Sequence, residues 1–176
     1  MNSIVVQHIE TPAGELLLGD FCGEVVLCDW TADRRRGTND RRVQKALGAT
    51  FEPGDSPLLQ KLSEELAEYF AGKRRAFDLP VRYTGTPFEA RVWDELRRIP
   101  YGKTITYGEL ARRIGNPAAT RAVAGANARN PVSLLVPCHR VVAGSGLGGY
   151  AGGLDAKVVL LDLERRNMPF VRDRPR

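Results

Sequence analysis

Residues 137–141 read Pro137-Cys138-His139-Arg140-Val141, and this stretch decides how the fold and the chemistry of the chain are interpreted. The apolar run Ser133–Val136 leads into it and predicts a short buried strand. Burial raises the pKa of a thiol, so Cys138 needs a base or a cation nearby before it can act as a nucleophile. His139 is the obvious base. Because successive side chains of an extended chain point to opposite faces, His139 is expected to reach Cys138 through a water molecule unless Pro137 forces a turn.

A third group is expected to hold the imidazole of His139 in place. The helix predicted to begin near Leu154 carries three acidic candidates, Asp155, Asp162 and Glu164. Spacing alone does not decide among them, and we select Glu164 as the orienting residue.

A glycine-rich segment follows the reactive stretch, with six glycines among residues 144–153. Such a segment could wrap a flat ligand with backbone groups, or it could be a plain flexible loop. No Gly-Lys-Ser/Thr follows it, which excludes a P-loop, and its match to a dinucleotide fingerprint lacks the required strand, helix and acidic residue. The sequence therefore predicts no cofactor and no metal ion.

Two short helices are predicted upstream of the reactive stretch. Thr106-Tyr107-Gly108-Glu109 has the pattern of a capped helix start, and this first helix stops at Gly115. Asn116-Pro117 begins a second helix that continues to about Arg129. Two helices joined by a short turn form a helix-turn-helix signature, which binds DNA in many proteins and also occurs in proteins that never touch nucleic acid.

The second of these helices is unusually rich in small residues. They are Ala118, Ala119, Ala122, Ala124, Gly125, Ala126 and Ala128. One interpretation is close packing in the core. The other is that a nearly bare helix enters a narrow groove of DNA while Arg121 projects from it.

The first half of the chain predicts a small unit of strands and helices. Residues 2–30 read as short strands separated by turns. Ser56-Pro57 is a strong start for an amphipathic helix, which ends at Gly72. A further strand is predicted around Phe77–Tyr83. The whole pattern predicts an α+β fold: a small strand and helix domain over residues 1–84, then a mostly helical domain over residues 85–176 that contains the helix-turn-helix and the buried Pro-Cys-His-Arg segment.

The charge of the chain is unevenly distributed. The net charge is +5; residues up to Gly85 carry 11 basic and 13 acidic groups, whereas residues from Thr86 onward carry 15 and 8. The excess of positive charge favours a polyanion partner for the second half. In the first half, the charged segment Asp33–Arg42 predicts a solvated mobile loop, although its Arg34, Arg35 and Arg36 could touch phosphate.

The cysteines and the absence of apolar runs bear on the compartment. Cys22, Cys28 and Cys138 fit neither a disulfide framework nor a metal motif, which favours a reducing environment. Cys22, Cys28 and His8 form at best an incomplete zinc site, and small apolar residues on strands are the favoured interpretation of the two cysteines. No apolar run approaches the roughly 20 residues of a membrane span. We expect a soluble protein that is cytoplasmic, or nuclear if its source is a eukaryote.

A series of short motifs runs through the second half. They are Gly-Thr-Pro-Phe at 85–88, Val-Trp at 92–93, Ile-Pro-Tyr-Gly at 99–102, Tyr-Gly-Glu-Leu-Ala at 107–111, Arg-Ala-Val at 121–123, Asn-Pro at 130–131, Pro-Cys-His-Arg-Val at 137–141, Gly-Tyr-Ala-Gly-Gly at 149–153 and Lys157. With these motifs the segment from Gly85 to Glu164 resembles the O6-alkylguanine-DNA alkyltransferases. The first 85 residues are similar to the variable N-terminal domain of that family only in length and in strand and helix pattern.

The resemblance implies a DNA repair reaction. The alkyl group on O6 of guanine, a methyl group in the simplest case, would pass irreversibly to Cys138, so that each molecule works once. In this scheme His139 is the water-mediated base, Glu164 orients its imidazole, and Asn130 braces the backbone before the cysteine. O4 of alkylthymine is a further lesion that the sequence leaves open.

The resemblance also implies how DNA is handled. Double-stranded DNA is bound through its minor groove and the damaged nucleotide is turned out of the stack. Tyr107 would rotate the phosphate and hydrogen-bond the extruded guanine, while Arg121 would fill the vacated space. The other expected DNA contacts are Ala119, Ala122, Gly125, Ala126 and Arg129, with Arg112 and Arg113 as further candidates for phosphate.

The expected guanine pocket is built largely from backbone groups. The carbonyls of Cys138 and Val141 would accept hydrogen bonds from the exocyclic amine. Tyr150 and the amide of Ala151 would close over the base, and Lys157 would have a positional role. Some members of the family carry a hydroxyl residue at the position of Ala151, which leaves the tolerance for bulky alkyl groups open.

Three other functions are compatible with parts of the pattern. A lesion-binding module without transfer activity is disfavoured because it would lack Cys138. A cysteine hydrolase would need Cys138 and His139 in direct contact and an oxyanion motif. A structural or transcriptional helix-turn-helix protein would leave the reactive stretch unexplained.

We expect a monomer and leave cooperative assembly on DNA open.

Overall fold

The computed structural model describes residues 2–169; Met1 and residues 170–176, the last part of the predicted second domain, lie outside the described residues. The N-terminal half forms a four-stranded sheet with two helices. Its elements are β1 (Asn2–Thr11), β2 (Gly14–Phe21), β3 (Glu24–Trp30), α1 (Arg36–Leu47), β4 (Ala49–Pro53) and α2 (Pro57–Phe70). The strand order is β3-β2-β1-β4, in which β1, β2 and β3 pair antiparallel and β4 pairs parallel to β1.

Local sequence explains why α2 begins where it does and which face it buries. The Ser56 side chain accepts a hydrogen bond from the backbone N–H of Leu59 at 3.1 Å, and Pro57 occupies the first helical position. Leu62, Leu66 and Tyr69 are buried along one face of the helix. Burial of each leucine contributes about 1.5–3 kcal/mol, so this face holds α2 in place.

The C-terminal half is mostly helical. Its elements are α3 (Pro87–Arg97), β5 (Ile105–Thr106), α4 (Tyr107–Arg113), α5 (Thr120–Ala128), β6 (Val141–Val142) and α6 (Leu154–Arg166), with β5 and β6 paired parallel. A complete capping box between Thr86 and Glu89 begins α3. The Thr106 side chain caps α4 through the backbone N–H of Glu109, as the sequence predicts. A short 3₁₀ turn, Pro117–Ala119, precedes α5.

One apolar cluster joins the two halves of the chain. Leu16 and Trp30 of the sheet belong to the same buried cluster as Val92 of α3, Leu160 of α6 and Val136, which precedes the reactive stretch. The predicted α+β fold is confirmed. Within residues 2–169, no helix combines the length and the apolar character that crossing a bilayer requires.

Two predictions about the first half are wrong. The segment Asp33–Arg42 is not a mobile loop, because α1 begins at Arg36 and buries Asn39 and Val43. The many charged residues of this segment hide the helical pattern, in which Val43 is the buried apolar residue. Phe77–Tyr83 is not a strand: Val81 makes only a single bridge, to Val25.

Two further expectations fail for reasons of backbone geometry. Ser133–Val136 is buried but is a tight turn and not a strand, since Leu134 has φ 72° and the N–H of Leu135 bonds the carbonyl of Ser133. Cys22 is exposed in the turn between β2 and β3 with φ 54°, whereas Cys28 is buried on β3. Among the described residues, no group of three or more histidine, cysteine, aspartate or glutamate side chains is arranged to hold a metal ion.

Candidate active site

Cys138 opens a single 3₁₀ turn, Cys138–Arg140, directly after Pro137. Pro137 has ψ 65°, so the chain bends here and does not run extended through the reactive stretch. The side chain of Cys138 is buried, with the residue 4% exposed. Burial raises the pKa of the Cys138 thiol, and the side chains of Asn130 and Ser133 oppose this increase only in part. At neutral pH the resting cysteine is therefore a thiol.

His139 is fully buried and bound on one side by a carboxylate. Its Nε2 lies 2.7 Å from Oε1 of Glu164. Its other ring nitrogen, Nδ1, is buried and has no partner among the described residues. Burial lowers the pKa of His139 and outweighs the opposing effect of Glu164. The imidazole is thus neutral at pH 7, and because a carboxylate only accepts, the ring hydrogen is on Nε2 and the lone pair on Nδ1.

Glu164 is the centre of a buried polar network. Its carboxylate accepts hydrogen bonds from the Tyr69 hydroxyl at 2.8 Å, from the backbone N–H of Gly102 at 3.1 Å, and from the guanidinium of Arg140 at 2.9 Å and 3.0 Å. The bonds with His139 and Arg140 keep the pKa of Glu164 far below its usual value although burial works against them. A charged carboxylate is retained here because every lone pair has a donor.

Asn130 braces the turn that carries the cysteine. Its side-chain amide donates to the carbonyl of Val136 at 2.8 Å, and its Oδ1 accepts from the backbone N–H of Val132 at 3.0 Å. These bonds close the loop that contains Leu134 in its left-handed conformation. The position of Cys138 is set by this loop.

Cys138 faces a cavity of about 550 Å³. The predicted site residues that line it are Tyr107, Asn130, Cys138, Tyr150 and Ala151. The other lining residues are Ala32, Asp33, Arg34, Arg35, Ala124, Asn127, Ala128, Gly149, Gly152 and Gly153. The wall is thus shared by α4, α5, the glycine-rich loop and the segment that connects β3 to α1.

Lys157 of α6 holds the glycine-rich loop through hydrogen bonds to its backbone. Its buried ammonium donates to three carbonyls, those of Val141 at 2.7 Å, Leu147 at 2.5 Å and Gly149 at 3.1 Å. Neither Lys157 nor Val141 lines the cavity. The Val141 carbonyl, expected to bind the guanine amine, already accepts one hydrogen bond from the protein.

The residues of the second helix that were expected to contact DNA differ in their solvent exposure. Arg121 and Ala122 are exposed, and Ala119 and Gly125 are half-buried. Ala126 is fully buried, and its carbonyl accepts the indole N–H of a tryptophan on α3, so the prediction that it contacts DNA is wrong. Small size at this position serves helix packing.

Arg129 at the end of α5 is tied to the protein. Its Nε donates to Glu89 at 2.6 Å, and Glu89 also binds Arg42 of α1 at 2.9 Å. The Glu89 carboxylate therefore offsets part of the positive charge of Arg129. Arg112 and Arg113 are exposed or nearly so and both pair with Glu109.

Known proteins resemble this chain over both halves. A family model for the DNA binding domain of 6-O-methylguanine DNA methyltransferase matches residues 87–166, and one for its ribonuclease-like domain matches residues 37–83. The methylated-DNA–protein-cysteine methyltransferase of Mycobacterium bovis is 44% identical over 168 residues, 92% of each chain. The chain belongs to the methylated-DNA–protein-cysteine methyltransferase family.

Two further relatives extend the comparison. The enzyme of the same name from Methanosarcina acetivorans is 53% identical over 106 residues, 60% of this chain and 68% of the relative. The crystal structure of Mycobacterium tuberculosis OGT in complex with DNA has a TM-score of 0.78 and 37% identity, and covers 94% of this chain and 95% of that chain.

Sequence reasoning missed several residues of the site. Arg140 lies inside the quoted reactive stretch, yet its bonds to Glu164 and to the carbonyl of Ile99 depend on residues distant in sequence. Tyr69 comes from α2, and Trp30 comes from the sheet. A hydrophobic stripe was the only local signal for Tyr69, and it indicated a core position.

Proposed function

We propose that this protein repairs alkylated DNA by accepting, on the Cys138 sulfur, the alkyl group carried by O6 of guanine. The observation that carries the proposal is a buried thiol on a cavity of about 550 Å³, beside a neutral imidazole that is oriented by a carboxylate. Membership of a methylated-DNA methyltransferase family supplies the substrate class.

The first step is removal of the thiol proton. His139 Nδ1 carries a lone pair and lacks a partner among the described residues, so a water molecule between it and Sγ of Cys138 can pass the proton to the ring. Glu164 then stabilises the imidazolium through the 2.7 Å contact at Nε2. Because burial raises the pKa of the resting thiol, Cys138 needs this transfer of its proton to become a thiolate at neutral pH.

The second step is transfer. The thiolate attacks the alkyl carbon, a sulfur–carbon bond forms as the carbon–O6 bond breaks, and the proton taken from the thiol returns to the guanine. The product is restored guanine and a thioether on Cys138. No side chain in this site can cleave a thioether, so the reaction stops after one turn for each protein molecule.

The cavity supports binding of an extruded base. Its volume of about 550 Å³ lies within the range of small-ligand pockets. Tyr107 and Tyr150 supply aromatic walls with hydroxyl groups, and Ala151 supplies a backbone amide. The carbonyls of Cys138 and Val141 are assigned to the exocyclic amine of guanine. The Cys138 carbonyl accepts hydrogen bonds from the N–H of Val141 and from the Asn127 amide at 3.4 Å, and the Val141 carbonyl accepts one from Lys157 at 2.7 Å, so the amine would share these oxygens with donors of the protein.

The helix-turn-helix supports presentation of the damaged nucleotide. Arg121 is exposed near the start of α5, and the small residues Ala119 and Ala122 lie close to it in sequence, which lets this surface approach a minor groove closely. We assign Arg121 to the vacated base stack, Tyr107 to the phosphate of the flipped nucleotide, and Gly125 and Arg129 to the neighbouring backbone. The excess positive charge of the second half favours this partner. We assign the reaction to a monomer in the cytoplasm.

Stoichiometry tests this proposal. With a fixed amount of protein and an excess of duplex containing one O6-methylguanine, the repaired lesions should reach a plateau at one for each protein molecule. Cys138→Ser should repair none and should bind the duplex with unchanged affinity. Continued turnover would contradict the proposal and favour a cysteine hydrolase, and absence of repair by the wild-type protein would also contradict it.

A further inference from the structure

Trp30, the last residue of β3, connects the N-terminal sheet to the cavity. The residue is 1% exposed, and its indole Nε1 donates a hydrogen bond to the hydroxyl oxygen of Tyr150 at 3.0 Å. The two rings meet edge to face, with centroids 6.1 Å apart. Tyr150 lies on the cavity wall with Cys138, so the bond ends at the site of the reaction.

A second contact fixes the glycine-rich loop on the same indole. A Cβ atom placed on Gly152 would lie 2.8 Å from Cδ2 of Trp30, which is closer than real side chains allow. The backbone at Gly152 therefore rests directly on the ring. Trp30 holds the loop at two cavity-lining residues that are two positions apart in sequence.

The hydrogen bond also sets the direction of the Tyr150 hydroxyl. An indole N–H only donates, so the Tyr150 oxygen accepts, and its own hydrogen must point elsewhere. Among the hydrogen bonds of residues 2–169, none is donated by this hydroxyl. Burial raises the pKa of Tyr150, so the hydroxyl keeps its proton. Accepting one bond strengthens a hydroxyl as the donor of the next.

We infer that Trp30 is a positioning residue for alkyl transfer: it directs the Tyr150 hydroxyl into the cavity as a hydrogen-bond donor to the bound purine and clamps the loop at Gly152. The inference rests on the proposed transfer to Cys138. It gives the N-terminal sheet a part in the reaction, because the sheet supplies the residue that orders the far wall of the pocket.

A double-mutant cycle tests this inference. The single-turnover rate of methyl transfer is measured at saturating lesion duplex for the wild-type protein, Trp30→Phe, Tyr150→Phe and the double variant, with duplex affinity and melting temperature in parallel. Each single change should slow transfer by about tenfold, the value of one lost hydrogen bond, with duplex affinity unchanged. Because both changes remove the same bond, the double variant should be close to Tyr150→Phe in rate, and the two losses should not multiply.

Trp93→Phe is the matched control. Trp93 is also 1% exposed and also donates its indole N–H, at 2.9 Å to the carbonyl of Ala126. Any loss of transfer rate in Trp93→Phe should be independent of Tyr150, so that in the double variant it multiplies with the loss caused by Tyr150→Phe. Gly152→Ala serves if Trp30→Phe does not fold: the added methyl meets the indole, displaces the loop and should slow transfer without a change in duplex affinity.

Three results would overturn the inference alone while the wild-type protein still transfers methyl groups. They are a wild-type rate in Trp30→Phe, losses that multiply between Trp30→Phe and Tyr150→Phe, and a wild-type rate in Gly152→Ala. Absence of transfer by the wild-type protein would overturn the proposed function, and this inference with it.

Discussion

The two ring nitrogens of His139 differ in their partners: Nε2 is 2.7 Å from Oε1 of Glu164, whereas Nδ1 is buried without a hydrogen-bond partner among the described residues. This asymmetry fixes one tautomer of the neutral ring and leaves a basic nitrogen free for a water molecule. In the proposed reaction the base is therefore prepared before substrate binds, while the thiol of Cys138 stays protonated.

Replacement of Glu164 tests the orienting role. Glu164→Gln should slow transfer by at least about 100-fold, because an amide can donate to His139 and favour the wrong tautomer. It should also lower the free energy of unfolding by about 3 kcal/mol, since the guanidinium of Arg140 loses its buried partner. Single-turnover assays and urea denaturation measure the two effects.

Asp162→Asn on the same helix is the control for that change. Asp162 pairs at the surface with Arg165, which is 76% exposed, so its loss should change stability by less than about 1 kcal/mol and leave transfer unchanged. Equal losses in the two variants would show that Glu164 has no special part in the reaction.

The rate of transfer should depend on pH through His139. The base must be neutral, and burial places the pKa of His139 below its ordinary value of 6.5. The single-turnover rate should therefore stay level as the pH falls through 6.5 and decline only at lower pH. A decline centred above pH 6.5 would argue that the imidazole is not buried in the working enzyme or is not the base.

Loss of Asn130 should loosen the turn that carries the cysteine. Asn130→Ala leaves the carbonyl of Val136 and the N–H of Val132 buried without partners, which should cost about 1–3 kcal/mol for each group. Transfer should slow more than duplex binding weakens. Unchanged stability in urea denaturation would contradict the bracing role.

Arg121→Ala should separate DNA handling from chemistry. If Arg121 fills the vacated stack, its loss should slow repair of duplex DNA by about tenfold or more and leave reaction with free O6-benzylguanine unchanged, because a free base needs no flipping. Arg165→Ala removes an exposed charge on α6 and should change neither rate. Equal losses of Arg121→Ala on both substrates would remove the proposed role.

Much of the fold was predictable where a local pattern determines structure. Caps at Ser56 and Thr106 begin helices as expected. The helix α1 was missed because its many charged residues hide Val43, its one buried apolar residue. Ser133–Val136 was mistaken for a strand because a buried turn and a buried strand can have the same apolar composition.

The site was predictable in part for a similar reason. The residues of the reactive stretch are adjacent, and Glu164 was one of three acids on a single helix, so the choice was small. Tyr69 and Trp30 reach the site from the first half of the chain through tertiary packing, and the spacing of residues along the sequence does not indicate such contacts. Ala126 was misassigned because a small residue serves a DNA surface and a tight helix contact equally well.

The most direct test of the central claim is the mass of the protein and of its cysteine peptides after exposure to duplex containing O6-methylguanine. One methyl group should replace one thiol hydrogen in each molecule, and the modified peptide should contain Cys138, although Cys22 is the exposed cysteine. Repair of the lesion with an unmodified Cys138 peptide, or methylation at Cys22 or Cys28, would contradict it.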